Sequence, residues 1–535
     1  MKKYTNKNYP KDGLAGLKEN FTTEAISGFL VFLLALPLSL GIATASNFPP
    51  IYGLITALIG GIVVSFFAGS LLTIKGPAAG LIVIVASAVV ELGHGNPELG
   101  WQLTLGAVVI SGAFQVIFGI FKLGSLSDFL PLSAVHGMLA AIGIIIISKQ
   151  LHILVGMNPL TNEGKPMVEP FELLMELPGT LVHFFAHKNV AIVGLVSLLV
   201  VFGWPLIPNK VLKKIPSALI VLVISIPLSA ILGLKNSSEF KPLLEFNEGL
   251  TDIIGINVSF NGIYEFGTFA KYVLMFALVG SLESLLTIKA IDEMDKFKRR
   301  SNTNKDLIAV GIGNVFTGIL GGLPMISEVA RSSSNVNNGA KTRWANLFHG
   351  IFILLFLIFA VSFSNLIPKA ALAAMLIGVG WKLTHPREFG HMAKIGKDQI
   401  TIFIVTIIFT LLTDLLVGIA VGILLKLFLH ISRGVPISSL FNAHSIMIGN
   451  TITPHKAVIF SNFIKVKKQI LSYKFSDKVI LDLSKCTLVD HSVIENLYHI
   501  KNDFDTEGGT LLILGIDEFK NVGNSKHELA VKRKK

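Results

Sequence analysis

Residues 25–74 read AISGFLVFLLALPLSLGIATASNFPPIYGLITALIGGIVVSFFAGSLLTI, and these fifty residues contain no Asp, Glu, Lys or Arg. A soluble fold does not leave so long a stretch uncharged, because polar groups have to cover its surface. The run is instead long enough for two membrane-spanning helices of about 20 residues each. It therefore predicts a polytopic α-helical membrane protein.

The composition of the 535-residue chain agrees with a membrane protein. Charged residues are 15% of the chain and hydrophobic residues 52%, whereas about 25% of a soluble domain is charged. The net charge is +12, but Lys and Arg flank the apolar runs, as in positive-inside topology, so we expect no nucleic-acid partner. The single cysteine, Cys486, excludes internal disulfides and cysteine-based metal sites. We expect no enzyme, because no nucleotide-binding loop, catalytic triad or metal cluster is present.

Fourteen apolar runs follow along the chain, and several are shorter than a full span. They cover residues 29–45, 51–68, 78–92, 101–118, 131–148, 190–202, 217–232, 271–288, 307–320, 326–335, 347–363, 370–381, 399–413 and 415–431. With a cytoplasmic N-terminus, the inner loops at 203–216, 289–306 and 382–398 are rich in Lys and Arg. The outer loop at 233–270 carries five acidic residues and two lysines. This alternation predicts an even number of spans with both termini in the cytoplasm.

The 233–270 loop divides the runs into seven and seven, and each half contains an interrupted third element. TIKGPAAG at 73–80 and GGLPMISE at 321–328 both place Gly and Pro before a short apolar helix. Paired broken helices at corresponding positions indicate an inverted-repeat transporter, with the binding site where the breaks meet.

Composition also predicts the domain boundaries. Residues 1–24 form a lysine-rich cytoplasmic tail, 25–434 the transmembrane transporter domain and 435–535 a polar cytoplasmic domain. In the last, apolar strands at 479–483 and 510–514 flank a helical pattern at 492–504. Strand, helix and strand with a right-handed crossover predict a small α/β domain.

Six motifs, in this order, resemble the SulP family of sulfate permeases and related anion transporters. They are LALPLSLGIA at 34–43, GPAAG at 76–80, GSLESLLT at 280–287, ARSSSNV at 330–336, GAKTR at 339–343 and TDLLVG at 413–418. Each motif alone is weak, but the similarity runs nearly end to end.

The resemblance implies an all-α, fourteen-segment inverted repeat of the uracil-permease type, followed by an α/β STAS domain. Core segments 1–4 and 8–11 would move against gate segments 5–7 and 12–14 in an elevator-type motion, in a homodimer in the inner (plasma) membrane. One position departs from the anti-anti-sigma relatives of STAS domains: the phosphoacceptor place holds His491. We therefore interpret Asp490 and Ser492 as caps of the helix start.

An anion in lipid can be held by two helix N-termini, each with free N–H groups and about half a positive charge. The broken elements would supply them, with Arg331 as the nearest cation, or as the partner of Glu328. The family resemblance places the first helix opposite. The predicted anion-binding residues are Pro37, Ser39, Ala78, Ala79, Gly80, Ser327, Glu328, Val329, Ala330 and Arg331.

Glu283 and Glu328 fall inside apolar runs and Asp414 lies directly between two of them, and such groups are costly and often functional. Glu283 and Thr287 lie four residues apart on one helix face. With backbone oxygens near Ser327 they would hold Na⁺, a role that an acid and a threonine of this helix have in the bicarbonate-transporting branch of the family. Protonation of Glu283 or Glu328 is the alternative mode of coupling. A structural role, in which Glu283 pairs with a buried donor such as Lys289 or Arg331, is the other alternative. Asp414 is interpreted as a helix cap, and we expect no other cofactor or metal.

These observations predict secondary active uptake of a small inorganic anion, bicarbonate or sulfate, with coupling to Na⁺ or H⁺. The near alternative is an exchanger or channel of the same fold, which would not need an intramembrane carboxylate such as Glu283. A nucleobase permease shares the architecture, but such permeases lack the polar C-terminal domain. The sequence does not choose among the oxyanions.

Overall fold

The computed structural model describes residues 9–125, 131–158, 167, 170–182, 187–209, 212, 215–236, 242–244, 255, 257–521 and 530–532. They fall into two compact units. One comprises the described parts of Met1–Gly124 and Ile142–Lys382, and the other those of Ser125–Ala141 and Leu383–Lys535.

The first unit is helical. Its helices are α1 Gly13–Ala45, α2 Ile51–Phe67, α3 Ile82–Leu92, α4 Pro97–Ile120, α5 Leu132–Leu154 (from Ile142 on), α6 Pro170–Val182, α7 Lys188–Gly203, α8 Ser217–Ile231, α9 Phe266–Met294, α10 Thr303–Ile319, α11 Val329–Asn337, α12 Trp344–Phe359 and α13 Lys369–Leu383. Each of the first twelve predicted runs overlaps one of these helices, and α6 was not predicted.

The two interrupted elements form short strands. β1 Ile74–Pro77 and β2 Met325–Glu328 pair antiparallel, with Lys75 opposite Ser327 and Gly76 opposite Ile326. All eight residues are buried. Extended chain at membrane depth is tolerated only where protein surrounds it and each polar backbone group finds a partner. The strand pairing satisfies this condition, and it was not predicted from the sequence.

The second unit begins with helices and ends in an α/β region. Its remaining helices are α14 Pro386–Ile395, α15 Lys397–Leu412 and α16 Leu415–Ser432, followed by α17 Phe463–Ile470 and α18 His491–Thr506. Asp414 accepts a hydrogen bond from Val417 N (2.9 Å) at the start of α16, which confirms its interpretation as a helix cap. The amphipathic α14 was not predicted.

The α/β region contains two four-stranded sheets. Their strands are β3 Ile446–Ile448, β4 Thr451–Thr453, β5 Lys456–Val458, β6 Lys478–Asp482, β7 Cys486–Val489, β8 Thr510–Leu514, β9 Phe519–Asn521 and β10 Ala530–Lys532. The sheet orders are β3-β4-β6-β8 and β5-β7-β10-β9. β6 and β8 are parallel, and α18 lies between them in the chain. The predicted strand–helix–strand unit is confirmed.

Among the described residues, six helices are long and apolar enough to cross a membrane, and four apolar helices are shorter. The longest, α1, contains Pro37. The chain is therefore a multi-pass membrane protein. Fourteen spans, both termini in the cytoplasm and the boundaries at 24/25 and 434/435 stay predictions.

Candidate functional site

The crossing of β1 and β2 is fixed by buried polar side chains from the surrounding helices. Asn314 of α10 binds both backbone groups of Met325, accepting from its N–H (2.6 Å) and donating to its carbonyl (3.1 Å). Thr56 of α2 accepts from Leu323 N (2.8 Å). These contacts replace the hydrogen bonds that water would supply outside the membrane, so the backbone groups of Leu323 and Met325 are satisfied within the protein.

A buried ion pair joins β1 to α10, and its carboxylate also contacts β2. Lys75 Nζ of β1 lies 3.0 Å from Asp306 Oδ1 of α10, and both side chains are fully buried. Asp306 Oδ1 also accepts from Gly69 N and Ser70 N (2.9 Å each), and its Oδ2 accepts from Ser327 Oγ (3.2 Å). Lys75 therefore has a counter-charge, Asp306, within the protein interior.

The two helix starts differ from the prediction. Ala78 precedes a 3₁₀ turn, Ala79–Leu81, which leads into α3. On the other side, Ser327 and Glu328 were expected to begin a helix, but they lie in β2, and α11 begins at Val329. The chain stays extended to Glu328 because β2 pairs with β1 over its whole length.

Glu328 forms the N-cap of α11. Its Oε2 accepts from Arg331 N (2.8 Å) and lies 3.9 Å from Arg331 Nε. Its carbonyl accepts from Ser332 Oγ (2.5 Å), and this hydroxyl in turn accepts from Ile74 N (2.9 Å). One carboxylate thus accepts from a backbone N–H at the helix start and lies beside the adjacent cation.

Arg331 is the largest of the fully buried side chains. Its Nε, Nη1 and Nη2 have no hydrogen-bond acceptor among the described residues. The guanidinium lies against Gly76 of β1, where an added Cβ would be 2.0 Å from Nη1. A buried guanidinium with unused donors is costly, because it has lost its water without replacing it. It is therefore the strongest candidate ligand for an anion.

Glu283 of α9 faces the other broken element. An added Cβ on Gly80 would lie 1.8 Å from Glu283 Oε1, so only glycine fits beside this carboxylate. Glu283 Oε1 has no hydrogen-bond donor among the described residues, and Glu283 is close enough to Glu328 for the two to repel. Thr287 is buried one turn further along α9.

The described geometry does not link every predicted residue to this site. Pro37 and Ser39 are buried in α1, and Ser39 Oγ has no hydrogen-bond partner in the described part of the chain. Val329 is half exposed and Ala330 partly buried. No group of three or more His, Cys, Asp or Glu residues that could hold a metal is found among the described residues.

Comparison with other proteins decides the family of the chain. Residues 21–406, well over half of the chain, match the sequence profile of the sulfate permease family. The chain belongs to the sulfate permease family. The match contains β1, β2 and every residue placed around them above.

Individual relatives support this membership. The chain is 28% identical over 516 residues to a putative sulfate transporter, YvdB, of Bacillus subtilis, covering 93% of this chain and 92% of that protein. It is 26% identical over 363 residues to the bicarbonate transporter BicA of Picosynechococcus, covering 68% of this chain and 61% of that protein. The solved transmembrane domain of a cyanobacterial BicA has the same fold (TM-score 0.64, 23% identity, 75% of this chain and 97% of that one).

The sulfate permease profile ends before the α/β region, where a second buried polar cluster lies. Asp490 was expected to cap α18, but its side chain makes no cap hydrogen bond. Its Oδ1 lies 3.0 Å from Lys426 Nζ of α16 and its Oδ2 accepts from Phe460 N (3.2 Å). His491 is buried in the first turn of the helix.

Several residues around this candidate site were not predicted from the sequence, chiefly Asn314, Asp306 and Thr56. All three lie at the boundary of, or within, apolar runs, where an amide, a carboxylate or a hydroxyl is unusual. A polar residue in or beside an apolar run was therefore the sequence feature that could have predicted them. Two strands that pair at membrane depth require such residues to bond their backbone groups.

Proposed function

We propose that this chain is a secondary active transporter that carries a small inorganic anion, bicarbonate or sulfate, across the membrane. Its family membership, and its similarity to proteins named as sulfate and bicarbonate transporters, support this function. The observation that carries the proposal is Arg331, a fully buried guanidinium without an acceptor among the described residues, at the crossing of the broken elements.

In this proposal the anion lies between the 3₁₀ turn at Ala79–Leu81 and the start of α11. An oxyanion accepts from Arg331 in the planar, bidentate geometry that guanidinium groups favour. Backbone N–H groups at Ala79 and Gly80 and at Val329 and Ala330 add the partial positive charge of the two helix starts. The hydroxyl of Ser327 donates to Asp306, so Ser327 helps mainly by positioning β2.

The charges of the site give a reason for coupling. Arg331 contributes one positive charge, whereas Glu328 and Glu283 contribute two negative charges when both are ionised. An anion then meets a net negative site, and a cation or proton on Glu283 cancels the excess. Na⁺ on Glu283, Thr287 and nearby backbone oxygens, or H⁺ on Glu283, would therefore raise anion affinity, and by linkage the anion would raise cation affinity.

The larger assembly follows the family resemblance and is part of the proposal. The paired strands would move as one body within the core segments, in an elevator-type motion against the gate segments. The α/β region would be a STAS domain, the chain a homodimer, and both termini cytoplasmic at the inner (plasma) membrane. The ion pair between Lys75 and Asp306 supports a rigid core, because it joins β1 to α10 within the protein interior.

The test is uptake of labelled bicarbonate and sulfate into proteoliposomes, with and without Na⁺ and pH gradients. Arg331→Gln should raise the half-saturating anion concentration by about 10- to 100-fold, because a hydrogen bond to a charged group contributes about 1.5–3 kcal/mol. Arg299→Gln is the matched control, since Arg299 bonds Asp295 (2.7 Å) and its replacement removes the same charge elsewhere.

Each outcome separates the functions. Uptake of either anion that is driven by Na⁺ or H⁺ supports coupled transport. Uptake that ignores both gradients but is stimulated by an anion inside the vesicle indicates an exchanger. If the folded protein takes up neither anion, or if Arg331→Gln and Arg299→Gln behave alike, the proposed site is wrong.

A further inference from the structure

A small cavity between α3 and α5 carries polar groups that the site above does not use. Ile82, Val83 and Ala86 of α3 line one side, and Lys149 and Gln150 of α5 lie on the other. The α3 residues follow Ala79 and Gly80 directly in the chain. At about 1.5 Å per residue, the cavity begins about 5 Å beyond the proposed anion position and extends to about 10 Å from it.

Lys149 has no counter-charge of its own in this place. Its Nζ donates to the carbonyl of Ala45, the last residue of α1 (2.8 Å), and it has no carboxylate partner among the described residues. A carbonyl holds an ammonium group in position but does not neutralise it. Lys75 differs from Lys149 in this respect, because its Nζ is paired with the carboxylate of Asp306. Lysines inside membrane-spanning segments commonly mark ion pathways.

Gln150 is the second, independent observation. Its side chain is only 2% exposed, it lines the same cavity, and its Nε2 has no acceptor in the described part of the chain. A buried amide donor without an acceptor costs about 1–3 kcal/mol. One cavity with apolar walls is therefore lined by a lysine that lacks a counter-charge and by an amide donor that lacks an acceptor.

We propose that Lys149 and Gln150 form a second anion position, at the outer end of the route to the site at the helix starts. It would take a small inorganic oxyanion, which accepts from the ammonium group and from the amide Nε2. This inference rests on the proposed function, because the occupant is the anion that the chain transports. By topology Lys149 lies near the outer end of α5, since α1 ends at Ala45 on the outer side.

Two measurements on the full-length protein test the proposal, and the first is kinetic. In proteoliposomes that take up labelled bicarbonate or sulfate from the outer side, Lys149→Met should raise the half-saturating concentration at least about tenfold and leave the maximal rate within about twofold. Lys149→Arg should restore it to near the wild-type value. Gln150→Leu should raise it by a smaller factor.

The matched control is Lys271→Met. Lys271 lies in the first turns of α9, on the same side of the membrane, and its Nζ is 3.4 Å from Glu91, so its charge is already paired. The variant removes the same formal charge and should leave the half-saturating concentration unchanged. Equal effects of Lys149→Met and Lys271→Met would overturn the proposal.

The second measurement does not depend on transport. The chain contains one cysteine, Cys486, which is fully buried, so the wild type is an unreactive blank for thiol labelling. Ala86→Cys places a thiol in the cavity. An anionic methanethiosulfonate should modify it faster than a cationic one, and adding Lys149→Met should lower that rate ratio at least about tenfold, because a unit charge within the cavity acts through a low effective dielectric.

The two measurements also separate this inference from the proposed function. If the wild type takes up neither anion but the labelling ratio depends on Lys149, the second position stands and the transport proposal fails. If uptake is normal and neither the half-saturating concentration nor the labelling ratio responds to Lys149→Met, Lys149 only anchors α5 to α1. An Ala86→Cys variant whose introduced thiol stays unmodified during turnover would also exclude an anion route through the cavity.

Discussion

Replacing Asp490 by asparagine should weaken a buried contact between the α/β region and α16. Lys426 Nζ lies 3.0 Å from Asp490 Oδ1, and the two side chains are 1% and 0% exposed. Lys426 also donates to Ser492 Oγ (3.1 Å) and lies over the ring of Phe460. Asparagine keeps the acceptor for Phe460 N but leaves Lys426 buried without a counter-charge.

The expected loss is large. Removing one partner of a buried ion pair costs about 3–5 kcal/mol, because the remaining charge has lost its water and its partner. For a unit of this size, each kcal/mol corresponds to roughly 2–4 °C in the unfolding temperature. Asp490→Asn and Lys426→Met should therefore each lower the apparent unfolding temperature by on the order of 10 °C. The double variant leaves no charge and should recover most of that loss.

The pH dependence has a definite sign. Burial alone would raise the pKa of Asp490, but the ammonium of Lys426 and the ring of His430, 3.7 Å away, outweigh burial and hold this pKa below its ordinary value of 3.8. The pair therefore contributes its full stability above about pH 4 and loses it as the pH falls further. The difference in unfolding temperature between wild type and Asp490→Asn should be constant from about pH 7 to about pH 5 and shrink only below about pH 4.

The assay is thermal unfolding of the purified full-length protein in detergent, followed by loss of the monodisperse peak in size-exclusion chromatography. The coupling between the two substitutions is the deciding number. If the double variant loses the sum of the two single losses, Lys426 and Asp490 do not stabilise each other and the reasoning is refuted.

Two further predictions concern the transport site. Glu283→Gln should abolish the dependence of uptake on the coupling cation, because an amide cannot bind Na⁺ or H⁺ as a carboxylate does. If uptake by Glu283→Gln still follows the same gradient, another group couples the cation to transport. Thr287→Ala should raise the Na⁺ concentration for half-maximal uptake. Gly80→Ala should reduce uptake at least about tenfold in a folded protein, since its Cβ would lie 1.8 Å from Glu283 Oε1. Gly203→Ala, whose Cβ meets nothing within 4 Å, is the control, and equal uptake by both variants would contradict the close packing of Gly80.

The apolar runs were readable from the sequence because lipid imposes a local rule on each segment. A span must be apolar over most of its length, whatever it packs against, so every one of the fourteen runs overlaps a helix. The same rule did not predict α6 and α14, since neither is a continuous apolar run. α14 in particular has a polar face and an apolar face, and its helix depends on what covers the latter.

The contacts within the candidate site could be predicted from the sequence only in part. Gly, Pro and small residues at 76–80 and 321–325 predicted two interruptions that meet, and the structure brings them together. The sequence could not show that they pair as strands, that Asn314 holds Met325, or that Lys75 is neutralised by Asp306, 231 residues away. Each of these contacts joins residues from different elements, so no periodicity within one segment records it.

By itself, the sequence determined that this chain crosses the membrane many times, that its two halves each contain a broken element, and that an α/β region follows. These features depend on composition and spacing along one stretch of chain. Only the tertiary structure decided which charges are free. Lys75 and Lys149 are both lysines beside apolar runs, yet one lies 3.0 Å from a carboxylate and the other contacts a carbonyl. The charge that a site presents depends on the partner that the fold brings to each ionised group.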